Sequence, residues 1–584
     1  MFRRHSLRRE RRAPMSQARE PCATRPRTSR AVWALLGFIS LLAAWPGLRG
    51  GWVHDDLNMV DNPQYSGLDD VIAVPLRPSG DYTRPPHRVI PRGSMNQTYR
   101  PLTMLTLVAP QALAPAAWLH HTIGWLLHAL TAWLFYLSLR RSDSRAASAQ
   151  AHGFLAALFL LHPVGVETYV WINGRSDLVA GLWLALLLFV LSGRDVMVAT
   201  GTRTLARTAS LFAIGFLGSA SKETFVPASL LAALSFAWPA ADREAPAESR
   251  LRRAGCALWP TALGVGAYAL ARTLVLPNAP GVGPTQADNP LATSVGWLFL
   301  PKLAAIASHA LLSLRAANMQ SLSWDQLRAL SLGEWLCGAL GLFAAGGLLI
   351  KRDMRGVLQL AAACAGLAPV VLVMFVIWLG LDRYLYMPLM LILCAASPYA
   401  VRAHQALRRA SPSLLPFAAC AILALAAVNT FVASRAYQSQ ATWLSTLAAE
   451  RPEDPSVVVF LATEVGAPRA NEVLRGLPPP PWPSAVIAPV IALALAGGSP
   501  ALAQRAAEYG TLHYPNNALI LALTFRLRYL AGQQAQALAL LPKLARRSSV
   551  CSEVRAQLGM WIERRQGRER EQLAAARAAL QCGQ

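Results

Sequence analysis

The residues best equipped for chemistry begin with Trp52-Val53-His54-Asp55-Asp56, followed by Asp61-Asn62-Pro63, directly after the first apolar run of the chain. Adjacent carboxylates beside a membrane can take a proton from an attacking hydroxyl, and His54 stands next to them. Further along come Tyr99-Arg100-Pro101, His162-Pro163 with Glu167, Gly174-Arg175-Ser176-Asp177, Ser221-Lys222-Glu223 and Asp382-Arg383-Tyr384-Leu385-Tyr386. Cations among them could hold a departing phosphate, whose growing negative charge is best stabilised by Arg or Lys where water is scarce.

Composition says what must position these residues. The 584-residue chain is 54% hydrophobic and only 15% charged, with a mean hydropathy of +0.33, which describes a polytopic membrane protein. A formal charge of +24 raises nucleic-acid binding, but the arginines lie in short clusters between apolar runs, not on one basic face. No nucleic-acid partner is expected.

Those clusters set a topology. Residues 1–30 are a basic tail with Arg3, Arg4, Arg8, Arg9, Arg11 and Arg12 at its start, so the chain is expected to begin in the cytoplasm. Further clusters fall at Arg140, Arg141 and Arg145; Arg194, Arg203 and Arg207; Arg243, Arg250, Arg252 and Arg253; Lys351, Arg352 and Arg355; and Arg402, Arg408 and Arg409. If each is cytoplasmic, spans are expected at 31–48, 118–139, 150–165, 177–193, 205–219, 224–238, 254–275, 333–350, 357–378, 385–400 and 413–432. That is about eleven transmembrane helices, several shorter than the ~20 residues a bilayer requires. Residues 296–314 read as an interfacial helix on the outer side, and the tail, 433–584, follows an odd number of spans and lies outside. A cleaved signal peptide over 31–45 is the competing reading, disfavoured by the long basic region and the lack of a small-residue cleavage site.

This topology gathers the polar motifs on the outer face, with Asp55, Asp56, Tyr99 and Arg100 in or at the edge of a first outer loop, 49–100. A transporter is instead expected to place polar groups at the bilayer midplane on broken helices. An outward site of acids and cations suits sugar transfer from a membrane-anchored lipid phosphate. Asp55 or Asp56 would be the base, and Arg100, Arg175, Lys222 and Arg383 the phosphate ligands. His54, Tyr99, His162, Glu167, Asp177, Glu223, Asp382 and Tyr384 are further candidates for substrate contact.

The ordered set Trp-Val-His-Asp-Asp, Tyr99-Arg100-Pro101-Leu102, His162-Pro163-Val164 with Glu167, Trp171 to Asp177, Ser221-Lys222-Glu223 and Asp382 to Tyr386 resembles the transmembrane and tetratricopeptide-repeat-containing O-mannosyltransferases and their bacterial relatives. The resemblance covers about residues 50–390 and implies the C-type (GT-C) glycosyltransferase fold. It further implies a polyprenyl-phosphate sugar donor, mannose-like, an inverting transfer, and an acid of the first outer loop at the reaction centre. The acceptor would be a polypeptide Ser or Thr hydroxyl, or alternatively a glycan, lipid or cell-wall polymer, on the outer face of a bacterial inner membrane. Between 276 and 332 the sequence departs from the pattern, with Arg315-Ala316-Ala317-Asn318 where a proline-containing turn with an Asp-Tyr pair is expected.

The resemblance also implies a helical-repeat tail in the periplasm. Ala496-Gly497, Ala531-Gly532 and Gln566-Gly567 stand 35 residues apart (532 minus 497, 567 minus 532), close to the period of a tetratricopeptide repeat. Leu521, Phe525 and Tyr529 recur at fours before the second glycine, as an amphipathic helix requires. The Pro478–Pro483 run interrupts the pattern, so the tail reads as two or three loose helical hairpins. Cys551 and Cys582 are the two cysteines of this tail and are candidates for a disulfide.

Blander readings stand beside these. Asp55 or Asp56 could cap a helix, Asp61-Asn62-Pro63 reads as a turn, His162-Pro163 as a helix end, and Tyr384 and Tyr386 as an interfacial aromatic belt. Lys222-Glu223 and Asp382-Arg383 could be internal ion pairs. No zinc spacing, Walker loop or dinucleotide loop occurs. No metal or cofactor is expected; a divalent ion at the Asp pair is allowed, not required. A noncatalytic scaffold or transporter retaining the fold is the alternative from another class.

Overall fold

The computed structural model describes residues 30–53, 68–77, 98–143, 148–193, 202–236, 247–276, 308–314, 332–373, 382–450, 467–477, 484–545 and 566–579, with isolated positions between them, Asp56 among these. All regular structure among the described residues is helical. A helix lies in each of the eleven expected segments: Arg30–Leu48, Ala117–Ser142, Ala149–Leu161, Arg175–Leu191, Thr202–Ser219, Phe225–Ser235, Ala247–Val275, Leu332–Ile350, Met354–Val373, Tyr386–Ala410 and Leu414–Arg435.

Length and apolarity mark part of the expected eleven as able to cross a membrane. Among the described residues six helices are long and apolar enough, or seven if Ala149–Leu161 and Pro163–Tyr169, which meet at a 46° bend, form one broken span. Three of the shortfalls have visible causes. Phe225–Ser235 has 11 residues, about 16 Å at 1.5 Å per residue. Thr202–Ser219 carries Arg203 and Arg207, which lower its hydropathy. His162-Pro163 breaks its helix because proline cannot donate to the preceding turn.

The helices bury a common core. Ala117–Ser142 packs on Arg175–Leu191, Met354–Val373 on both Phe225–Ser235 and Tyr386–Ala410, and Arg30–Leu48 on Leu414–Arg435. Phe135, Phe159, Tyr169, Leu184, Tyr386 and Met390 fill the centre. A polar layer crosses it. His128 Nδ1 accepts from the Tyr386 hydroxyl at 2.8 Å while its Nε2 donates to the Leu160 carbonyl at 3.0 Å, and its ring stacks on Tyr169 at 4.3 Å.

The stretch expected as the first outer loop holds short helices at Leu68–Ala73 and Val74–Leu76 among its described residues, and is followed by a helix, Pro101–Leu113, that was not expected. Pro101 takes the first helical position, where its missing N–H costs nothing. Met104, Leu107 and Val108 bury against Val74 and Ile172. Of the expected interfacial helix 296–314, residues 296–307 lie outside the described residues. The described remainder begins with a short helical stretch.

In the tail, Ser484–Ala496, Pro500–His513 and Ala518–Leu530 pack in succession, the first also touching the third. One core holds Trp482, Ile487, Ile491, Ala507 and Ile520; a second holds Phe525, Tyr529, Leu540, Leu544 and Leu573. Left-handed glycines end two of the helices. They are Gly498 (φ 76°) and Gly532 (φ 77°), with Gly567 (φ 63°) left-handed as well; the first two stand 34 residues apart (532 minus 498), so the left-handed position is Gly498 and not the Gly497 of the expected spacing. In each, the residue after the glycine donates back five residues, Ser499 to Ala494 and Gln533 to Arg528. Cys551 and Cys582, and residues 1–29, lie outside the described residues.

Candidate functional site

One end of the helix bundle brings together residues from five stretches of chain. Asp177 stands in the first turn of Arg175–Leu191, Lys222 and Glu223 in the turn between Thr202–Ser219 and Phe225–Ser235, and Arg383 and Tyr384 in a tight turn entering Tyr386–Ala410. Glu167 lies in the short helix Val166–Tyr169, and Arg100 caps Pro101–Leu113.

Local folding fixes each of these. The start of Pro101–Leu113 docks on the Lys222 turn, with Leu102 N donating to Ala220 O at 3.2 Å and Thr103 Oγ1 to Ser221 O at 2.8 Å. Arg100 N also donates to Ser79 Oγ at 2.8 Å. Gly174 turns the chain into its helix so closely over Glu167 that a Cβ there would run into the Glu167 carbonyl oxygen.

Three cations then meet three carboxylates. Arg100 Nη2 lies 2.7 Å from Glu223 Oε2, with Nε at 2.9 Å from the same oxygen. Lys222 Nζ bonds Asp177 Oδ2 and sits 4.4 Å from the centre of the Tyr384 ring. Arg383 donates through its backbone N to Glu167 Oε2 at 3.1 Å, and its Nε is 3.9 Å from Oε1. The Arg383 guanidinium donates to the Tyr384 hydroxyl at 3.0 Å and lies 4.5 Å over the Trp171 ring. Tyr384 thus bridges the lysine and the arginine, and the pairs form one network.

The pairs differ in access. Side chains of Lys222 and Asp177 are 5% and 2% exposed and those of Arg383 and Glu167 12% and 3%, whereas those of Arg100 and Glu223 are 27% and 35% exposed. Arg100–Glu223 is the outer pair. Burial pushes the Lys222 ammonium down to about 8, against the opposing pull of Asp177. Burial also pushes Glu223 up, but Arg100 outweighs it and holds the carboxyl below its usual range.

Other candidates are placed elsewhere. Arg175 is buried with its guanidinium donating to the carbonyls of Thr106 at 3.3 Å and His120 at 2.6 Å, so it ties helices together. Tyr99 stacks on Tyr268 and its hydroxyl donates to Pro75 O at 2.8 Å, so the phenol is engaged with backbone. His162 Nδ1 accepts from Val164 N at 3.2 Å and Nε2 faces Leu311 O at 3.1 Å, which occupies the imidazole with backbone. Asp382 is buried at the N-terminal side of the Arg383 turn. Tyr384 and Tyr386 are buried, so they do not form an interfacial belt.

Asp56 is fully buried. Its Oδ1 accepts from Asn173 N at 2.9 Å and its Oδ2 from Val53 N at 3.2 Å, while Trp171 Nε1 donates to Val53 O at 3.2 Å. The carboxylate therefore clamps Val53 and Asp56 to the Trp171–Asn173 turn. His54 and Asp55, and Asp61-Asn62-Pro63, lie outside the described residues.

Trp171 is the network member not singled out from sequence; its signal was its place two residues before Asn173 in the motif. Among the described residues no group of three His, Cys, Asp or Glu side chains converges as a metal site requires. In chemical terms the network offers cations for an anion, carboxylates for a proton, and an aromatic floor of Trp171 and Tyr384. Comparison with family models, with curated proteins and with solved structures found no match, so the meaning of the site rests on its own geometry.

Proposed function

We propose that this chain is a membrane glycosyltransferase of the C type, transferring a mannose-like sugar from a polyprenyl phosphate to an acceptor hydroxyl, with inversion. The observation that carries the reading is the convergence of Arg100, Lys222 and Arg383 with Glu223, Asp177 and Glu167 at one end of a bundle of apolar helices. A phosphate anchored by a lipid reaches such an end from the bilayer, and a hydroxyl reaches it from water.

In the proposed reaction the acceptor oxygen attacks the anomeric carbon and gives its proton to a carboxylate. The bond from that carbon to the phosphate oxygen breaks, and the phosphate leaves with the electron pair. Arg100, Lys222 and Arg383 stabilise the leaving charge in a site from which water is largely excluded. Asp55 is the proposed base, because Asp56 has both carboxylate oxygens engaged with backbone N–H groups. The tetratricopeptide-like tail would present the acceptor, a polypeptide Ser or Thr, in the periplasm of a bacterial cell.

One observation favours a second reading. Each cation of the network already has a carboxylate partner, as in an ion-pair lattice that holds a noncatalytic scaffold together. Equilibrium binding separates the two. Polyprenyl phosphate should bind the purified protein and should bind Arg383→Gln at least tenfold more weakly, by the ~1.4 kcal/mol per decade of affinity arithmetic. Equal, salt-insensitive binding to both proteins would favour the scaffold. Mass spectrometry of glycosylated products in a deletion strain would then name the acceptor.

A further inference from the structure

We propose that the opposite end of the bundle carries a dedicated site for an anionic phospholipid headgroup, centred on the turn Lys351-Arg352-Asp353 and on Tyr399. Contacts between helices show that several basic clusters meet there. Arg355 Nη2 lies 3.4 Å from Ser142 Oγ, and its guanidinium lies 4.4 Å over Phe236, at the far end of Phe225–Ser235 from Lys222. His404 Nε2 pairs with Gln150 Oε1 at 3.1 Å. On the Tyr386–Ala410 helix, Tyr399 stands 16 residues beyond Arg383, about 24 Å along the axis at 1.5 Å per residue. The two charged ends are therefore separate.

The centre of this end is built, not merely basic. Lys351 Nζ lies 5.1 Å and Arg402 Cζ 5.3 Å from the centre of the Tyr399 ring. The Tyr399 hydroxyl donates to Asp353 Oδ2 at 3.0 Å, and Asp353 Oδ1 accepts from Gly356 N at 3.1 Å. That one carboxylate is occupied by the tyrosine and the helix cap, which leaves Lys351, Arg352 and Arg402 exposed and in excess.

Arg352 adds an independent sign. The Leu332–Ile350 helix ends with Asp353 N donating to Leu348 O at 2.9 Å, and Arg352 holds the left-handed position (φ 53°) that glycine takes without strain. The arginine there places a guanidinium at the turn in spite of a backbone preference for glycine.

The apolar neighbourhood names the source of the phosphate. Leading up to Lys351, the same helix exposes Leu342, Phe343, Leu349 and Ile350. Acyl chains can lie along this face while the phosphodiester meets Lys351, Arg352 and Arg402. Juxtamembrane cations attract anionic lipid by about 1 kcal/mol each, and an aromatic ring held between two of them fixes where the headgroup sits.

The test uses the full chain in neutral detergent, read by native mass spectrometry and thermal unfolding with added phosphatidylglycerol or phosphatidylcholine. Phosphatidylglycerol should bind about tenfold more tightly than phosphatidylcholine and raise the melting temperature. Lys351→Gln with Arg402→Gln should abolish that preference, whereas Arg408→Gln with Arg409→Gln, which removes equal charge from the helix that carries Arg402, should keep it. Arg352→Gly should raise the lipid-free melting temperature and yet weaken phosphatidylglycerol binding. Equal binding of the two lipids, equal losses in the two double variants, or full displacement by glycerol phosphate, which has no acyl chains, would each overturn the proposal.

Discussion

Arg100 and Glu223, 123 residues apart, meet side-on, with guanidinium Nη2 2.7 Å and Nε 2.9 Å from one carboxylate oxygen. This contact joins the start of Pro101–Leu113 to the Lys222 turn, and it is the most exposed pair of the network. An arriving phosphate can replace Glu223 on Arg100 without entering the buried layer, because both groups present a planar pair of oxygens to the same fork.

Glu223→Gln should therefore bind polyprenyl phosphate more tightly than the parent chain, since the amide no longer competes as an anion for Arg100. Arg100→Ala should lower turnover about a hundredfold, the usual scale for losing one charge-stabilising donor. Titration of the labelled lipid against both variants checks this; weaker binding by Glu223→Gln would contradict the exchange.

Asp177→Ala should be the more damaging change to stability. It leaves the Lys222 ammonium, 5% exposed, without its carboxylate, and breaking one side of a buried pair costs about 3 kcal/mol or more. Asp177→Ala with Lys222→Met should recover most of that loss. Denaturant unfolding in detergent measures both; equal stability of the single and double variants would sever the coupling.

The pH dependence follows from Lys222. Its ammonium is held by burial at about 8, below the ordinary 10.5, so phosphate binding should fall as pH rises through about 8. Stability moves the other way. Between about 8 and 10.5 the unfolded chain binds more protons than the folded one, so unfolding becomes less favourable as pH rises through that window. Binding should thus be lost while the fold strengthens, and Lys222→Arg should move the loss above pH 10. A loss of binding that tracks unfolding would exclude Lys222 as its cause.

Asp56→Ala should destabilise by about 1–2 kcal/mol, because the N–H groups of Val53 and Asn173 lose their acceptor in a fully buried position. Its effect on turnover should largely be rescued by conditions that stabilise the fold. Unchanged melting of Asp56→Ala would argue against the clamp.

Much of the helix pattern was legible because apolar runs separated by arginines leave little choice of segment. Length and polarity along one helix, as in Phe225–Ser235 or Thr202–Ser219, bear on crossing, and an arginine-based topology ignores both. The residues of the network were legible as motifs at helix ends, but their pairing was not. Lys222 stands beside Glu223 in the chain yet bonds Asp177, 45 residues away, and Glu223 turns to Arg100. Arg175 looked like Arg383 in sequence, and differs because its guanidinium reaches two backbone carbonyls across a helix interface. Trp171 reads as core from its type, and only the Arg383 guanidinium over its face gives it a place in the site.

Turnover decides the matter most directly. The purified chain, given a labelled polyprenyl-phosphate sugar and a hydroxyl acceptor, should release polyprenyl phosphate, and Asp55→Ala should stop the release with melting unchanged. No release with any lipid-linked sugar, or full release by Asp55→Ala, would contradict a glycosyltransferase working from this base and this network.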